Sequence, residues 1–136
     1  MRLLFVCVGN SCRSQIAEAI ANELGFEAAS AGTEPANNVN SNAISVLQSK
    51  GISTKNLYPK SIDNVEWQSF DMVISMGCGV NCPMIKIDQD WELEDPVDKS
   101  LEVFEDCYMK IEDNLKKLMR LSLDKIYDEN GGRWGI

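Results

Sequence analysis

Histidine is missing from all 136 residues of this chain. Mechanisms built on a His base, including Ser-His and Cys-His pairs, are thereby excluded, and a catalytic zinc site is disfavoured. Any nucleophile has to be activated by its electrostatic setting. Long apolar runs are missing too. The longest, residues 3–8, falls far short of the roughly 18 residues that a membrane span needs. It is also too short for the core of a secretory signal and precedes no small-residue cleavage site, so it reads as a buried strand. Positive charge is scarce: 13 Lys and Arg stand against 21 Asp and Glu, a net charge of −8. That balance argues against nucleic acid and against an anionic membrane surface, which both demand clustered basic residues. An anion bound by this protein must be held by locally arranged donors. Cysteine is present five times, an odd number without the pattern of a secreted disulfide framework. The expected setting is a reducing cytoplasm with functional thiols.

The length suits a single domain over residues 1–136, with the order of the tail 121–136 left open. Residues 2–7 (RLLFVC) are almost continuously apolar, as a strand buried on both faces is. From Ser14 the pattern turns helical: Ile16, Ala17, Ile20, Ala21 and Leu24 recur three and four apart, and Gly25 stands at the C-cap. Further along, 26–30 reads as a strand, 41–50 as a helix closed by Gly51, 63–69 as a short helix, 71–76 as a third strand and 85–87 as a short fourth. A long amphipathic helix is expected over about 98–120, with Leu101, Phe104, Tyr108, Ile111, Leu115 and Leu118 on one face. Strands alternating with helices imply parallel pairing and right-handed crossovers. The fold class is α/β, an open parallel sheet flanked by helices on both faces.

Between the first strand and the first helix lies CVGNSCRS, residues 7–14. In an open parallel sheet, ligands bind beyond the carboxyl ends of the strands, where Cys7 falls. A helix starting near Arg13 or Ser14 aims unpaired N–H groups and the positive end of its dipole at the loop. Val8, Gly9, Asn10, Ser11 and Cys12 are enough chain to wrap a tetrahedral anion in backbone amides. Gly9 permits unusual dihedrals and Asn10 tolerates a left-handed conformation. Arg13 offers a planar fork for two anion oxygens. The same positive setting favours the thiolate of Cys7, to which Ser14 can donate a hydrogen bond. A bare C-x5-R pattern is weak, and Cys7 read alone would equally be a core cysteine. The strand before, the helix after and Gly-Asn inside favour a phosphate-type oxyanion cradle with Cys7 as nucleophile. Cys12 reads as structural or accessory, and Cys107, on the last helix, as core or surface.

The string FVCVGNSCRSQIAEA resembles the signature of the low-molecular-weight tyrosine phosphatase superfamily and, within it, the thioredoxin-coupled arsenate reductases. SAGTEP (30–35), MGCGVNCP (76–83) and WELEDP (91–96) are similar to further landmarks in the expected order, over roughly residues 2–120. The resemblance implies a four-stranded parallel sheet, Cys7 as nucleophile, Arg13 as oxyanion ligand and Asp95 as general acid. Gln15, where the phosphatases usually carry Pro, and Val97-Asp98, where they typically place a Tyr pair, resemble the reductase branch.

Reduction also needs further thiols, and Cys78 and Cys82 follow a third strand expected to lie beside the first. By resemblance, Cys78 attacks the Cys7–arsenic adduct and Cys82 resolves the Cys7–Cys78 disulfide. The remaining Cys78–Cys82 bond passes to an external reductant. Four residues apart on a helical turn, this pair sits about 6 Å apart at Cα, within disulfide reach. A structural pair or half a zinc site is the plainer alternative. Their three-residue gap is shorter than in the thioredoxin-coupled enzymes, so thioredoxin and a low-molecular-weight thiol both stand as donors. No tightly bound cofactor is implied. The family's reductases sometimes hold a potassium ion, for which Asn10, Glu18 and Ser30 match part of a site. The reading is an arsenate reductase, with phosphate or sulfate as substrate analogues. A low-molecular-weight phosphatase using Cys7, Arg13 and Asp95 is the second reading, and a non-catalytic oxyanion-binding or redox-sensing module the third.

Overall fold

The computed structural model describes residues 1–77 and 85–129. Four strands, β1 (Arg2–Cys7), β2 (Glu27–Gly32), β3 (Met72–Ser75) and β4 (Gln89–Asp90), form one parallel sheet in the order β2-β1-β3-β4. Three α-helices accompany it: α1 (Arg13–Glu23), α2 (Ser41–Ser49) and α3 (Leu101–Glu129). β1 is central because its side chains are apolar on both sides. Leu3 and Phe5 join a core with Ile16, Ile20, Leu47, Phe104, Ile111 and Leu115, from all three helices. Leu4 and Val6 join Ala31, Ile62 and Val73 on the opposite face, which Val65, Trp67 and Phe70 close. The α/β class and the helix-covered sheet are as expected; one face carries the α-helices and the other carries two short 3-10 turns, Ile62–Asn64 and Trp67–Ser69. No helix among the described residues is long and apolar enough to cross a membrane.

Several boundaries differ from the sequence reading. The single helix expected over 63–69 is two turns, because the β-branched Val65 is extended between them (φ −122°, ψ 131°). The fourth strand lies at 89–90 and not at 85–87. Ile85 and Ile87 do pack on the second core, but the Val73 amide beside them is taken by the Asp88 side chain at 2.8 Å, and ladder pairing starts only at Gln89. β2 runs to Gly32, two residues beyond the strand expected over 26–30. The long helix starts at Leu101 and runs to Glu129, so part of the tail is helical. Leu101 itself is 45% exposed at its first position and not in the core.

Gly32 links the sheet to the loop after β1. It pairs with Cys7 and its amide donates to the Lys60 carbonyl at 2.8 Å. A Cβ there would stand 2.5 Å from the Val8 carbonyl oxygen. Gly32→Ala is therefore expected to cost about 1–3 kcal/mol through backbone displacement, read as a lower urea midpoint with an unchanged slope.

Candidate active site

The turn from β1 into α1 is held from outside by its carbonyls. Cys7 O accepts from the Thr33 amide at 3.2 Å, and Val8, Gly9 and Ser11 from Glu34, Ala36 and Asn40 at 2.9 Å each. Cys12 O accepts from Ile16 at 3.0 Å, and Asn10 O from the Gln15 side chain at 2.9 Å. Within a trans peptide plane the C=O and N–H point in opposite directions. The amides of residues 8–13 are therefore turned away from these partners, as an anion nest requires. The left-handed residue is Asn10 (φ 51°), while Gly9 keeps an ordinary φ. The Asn10 amide donates to Cys7 Sγ at 3.1 Å.

Behind the sulfur runs a buried polar network. Ser14 Oγ lies 2.9 Å from Cys7 Sγ. Asn10 Nδ2 donates to Ser14 Oγ at 2.8 Å and to Ser30 Oγ at 2.9 Å. Ser30 Oγ donates to Glu18 Oε1 at 2.8 Å. Asn10, Glu18 and Ser30, matched in sequence to part of a potassium site, are thus brought together. The same carboxylate oxygen also meets Lys60 Nζ at 3.3 Å, with both side chains largely buried.

Arg13 is 5% exposed. Its Nη1 donates to the carbonyls of Met76 and Leu93 at 3.1 and 2.8 Å, and Nη2 lies 3.7 Å from Asp95 Oδ2. Residues 7–13 line a hollow of about 650 Å³ together with Gly77, Leu93, Glu94, Asp95 and Val97. Its far wall depends on Gly77, where a Cβ would stand 2.4 Å from Glu92 Cα. Asp95 is half exposed at the rim, its Oδ1 accepting from the Val97 amide at 3.1 Å. Cys7, Arg13 and Asp95 are therefore gathered as the sequence suggested. Cys78 and Cys82 lie outside the described residues. Cys12 and Cys107 are buried thiols, and burial pushes them up to about 11 and about 12. Such groups are neutral at physiological pH, so neither serves as a thiolate there.

Sequence reasoning missed two contributors. Gln15 separated the branches of the family, but its buried bond to the loop carbonyl was not foreseen. Lys60 carries no local signal, standing 42 residues from Glu18 in the chain.

A hydrogen-bonded thiol in an amide-lined turn, with a buried guanidinium across the hollow, can hold a tetrahedral oxyanion and attack it. The model for low molecular weight phosphotyrosine protein phosphatases matches residues 2–129. The chain belongs to that family. The glutaredoxin arsenate reductase of Synechocystis is 37% identical to it over 126 residues, covering 87% of this chain and 95% of the relative. A solved arsenate reductase in the phosphate binding state has a TM-score of 0.80 at 37% identity, covering 88% of this chain and 96% of that one. The thioredoxin-dependent arsenate reductase of Corynebacterium glutamicum gives a TM-score of 0.72 at 35% identity, covering 89% and 62%.

The buried thiols supply a test. Iodoacetamide at pH 8 should leave Cys12 and Cys107 unmodified in the folded protein and label both in urea, read by peptide mass. Unfolded, these thiols ionise near the ordinary 9.0, whereas the fold retains their protons to about 11 and 12. The unfolded state thus binds fewer protons in that interval, and the urea midpoint should fall as pH rises from 9 to 11.

Proposed function

We propose that the protein is an arsenate reductase, converting arsenate to arsenite by a cysteine thiol/disulfide relay. The observation that carries the reading is that Gly77, whose next residue is Cys78, lines the same hollow as Cys7. Hydrolysis of a phosphoester needs one nucleophile, whereas reduction needs a second thiol within reach of the first.

In the proposed sequence the amides of residues 8–14 and the Arg13 fork hold arsenate against Cys7. The thiolate forms a bond to arsenic, and one oxygen leaves as water on the proton of Asp95. Cys78 then attacks the Cys7 sulfur. The electron pair of the sulfur–arsenic bond returns to arsenic, which departs as arsenite and leaves a Cys7–Cys78 disulfide. Cys82 attacks Cys78, releasing the Cys7 thiolate and leaving a Cys78–Cys82 disulfide. Two electrons and two protons from an external dithiol, or from two monothiols, restore the start. The names of the Synechocystis and Corynebacterium relatives support a thioredoxin- or glutaredoxin-type donor. The relay calls for no tightly bound cofactor, and its thiols suit a reducing cytoplasm.

The family's phosphatase chemistry would use Cys7, Arg13 and Asp95 alone. Against it, the wall after Asp95-Pro96 is the small Val97 and not an aromatic ring for an aryl ester. Arsenate-dependent oxidation of a thioredoxin or glutaredoxin system is the expected activity; efficient aryl phosphate hydrolysis without arsenate turnover would favour the phosphatase, and anion binding with neither turnover would favour a non-catalytic module. Cys7→Ser should abolish all chemistry and keep the fold. Cys82→Ser should allow one turnover and then stop, with the Cys7–Cys78 disulfide accumulating in mass maps. Steady-state turnover by Cys82→Ser would break the relay.

A further inference from the structure

The sequence left Asn10, Glu18 and Ser30 open to a monovalent cation, and their geometry answers the question. Glu18 is 6% exposed. Its Oε1 already accepts the Ser30 hydroxyl at 2.8 Å and the Lys60 ammonium at 3.3 Å. Lys60 is held at both ends. Its amide donates to Asn10 Oδ1 at 3.0 Å and its carbonyl accepts from Gly32 at 2.8 Å. The ammonium further donates to the Tyr58 carbonyl at 3.3 Å and stands 4.6 Å from the centre of the Tyr58 ring. A carboxylate neutralised by a fixed ammonium has little attraction left for potassium, which would also sit against a like charge. The residues do not fit an added ion.

We propose that Lys60 is itself the cation of this site, holding Asn10 by its main-chain amide and Glu18 by its ammonium and so positioning the hydrogen bonds that end on the Cys7 sulfur. The inference deepens the functional reading above, because it concerns how the same nucleophile is held. A backbone amide can only donate, so Asn10 must turn Oδ1 to Lys60 and Nδ2 to the two serines. Nδ2 has two protons, and they go to Ser30 Oγ and Ser14 Oγ. Ser14, accepting from Asn10, is left to direct its own proton to Cys7 Sγ at 2.9 Å. Ser30 directs its proton to Glu18 Oε1, the oxygen that the ammonium also meets. Without the ammonium, the buried Glu18 carboxylate loses its paired charge and attracts another cation in its place. The main-chain amide of residue 60 still fixes which way Asn10 faces, but Glu18 and Ser30 lose their anchor, and Asn10 and Ser14 are held less firmly. Lys60 is a positioning residue, acting on Cys7 through Asn10 and Ser14.

The test compares Cys7 alkylation by iodoacetamide at pH 7, read at the Cys7 peptide by mass, in potassium chloride and in choline chloride at equal ionic strength. Melting temperature is recorded in both. The unmodified protein should show the same rate and the same melting temperature in each; activation or stabilisation specific to potassium would overturn the proposal without any variant being made. Lys60→Ala should lose about tenfold in rate in choline and recover most of it in potassium or methylammonium chloride. An unchanged rate, or a loss that neither cation restores, would overturn the proposal and reduce Lys60 to packing. Arsenate turnover is followed in parallel. Cation-indifferent, Lys60-dependent alkylation without arsenate reduction sinks the functional reading alone; reduction with Lys60-independent alkylation sinks this inference alone.

Discussion

Six consecutive carbonyls facing outward are the constraint on which the site depends. An anion cannot sit in a ring that presents oxygen, and a short loop has no intrinsic preference for turning its amides inward. Here the preference is imposed by the segment after β2, whose amides at residues 33, 34, 36 and 40 take up four of those carbonyls. Each bond contributes only about 1 kcal/mol net, yet together they orient four of the six peptide planes, while the Gln15 side chain and the Ile16 amide hold the other two. That belt can lie close because β1 and β2 are in register at Cys7 and Gly32, and because Gly32 carries no side chain.

The same economy of placement governs charge. A protein of net charge −8 offers an oxyanion no favourable long-range field, and at physiological ionic strength such a field fades within about 8 Å. Attraction therefore has to come from groups in contact. Arg13 is the principal one, and it cannot turn outward: one nitrogen is fastened to the carbonyls ending β3 and entering the 93–97 segment, while the other remains beside Asp95. The guanidinium thus also ties the third strand to the nucleophile loop.

How far the sequence disclosed this follows from the range of each interaction. β1 was read at its true bounds because a strand buried on both faces is written as an unbroken apolar run. The loop was legible because its turn, its thiol and its cation fall within seven residues, and a left-handed residue between Cys7 and Ser14 had Asn10 as a natural holder. β4 was misplaced because burial and ladder pairing come apart at that edge: Ile85 and Ile87 bury apolar surface, while the pairing belongs to two exposed polar residues. Leu101 fitted the helical period and still faces solvent, since period says nothing of where the sheet ends. Lys60 was illegible. A lone lysine in a polar loop looks like solvated charge, and only the crossover from Gly32 brings it to Glu18.

A ring of backbone amides recognises four oxygens at tetrahedral corners and little else. Arsenate and phosphate share that outline, so a grip made of amides and one guanidinium is poorly equipped to choose between them on entry. In the proposed relay the choice is deferred to the element at the centre, since phosphorus bonded to Cys7 would not accept an electron pair as arsenic does. Cellular phosphate then becomes a standing competitor for the loop, and fidelity resides in the irreversibility of what happens after capture.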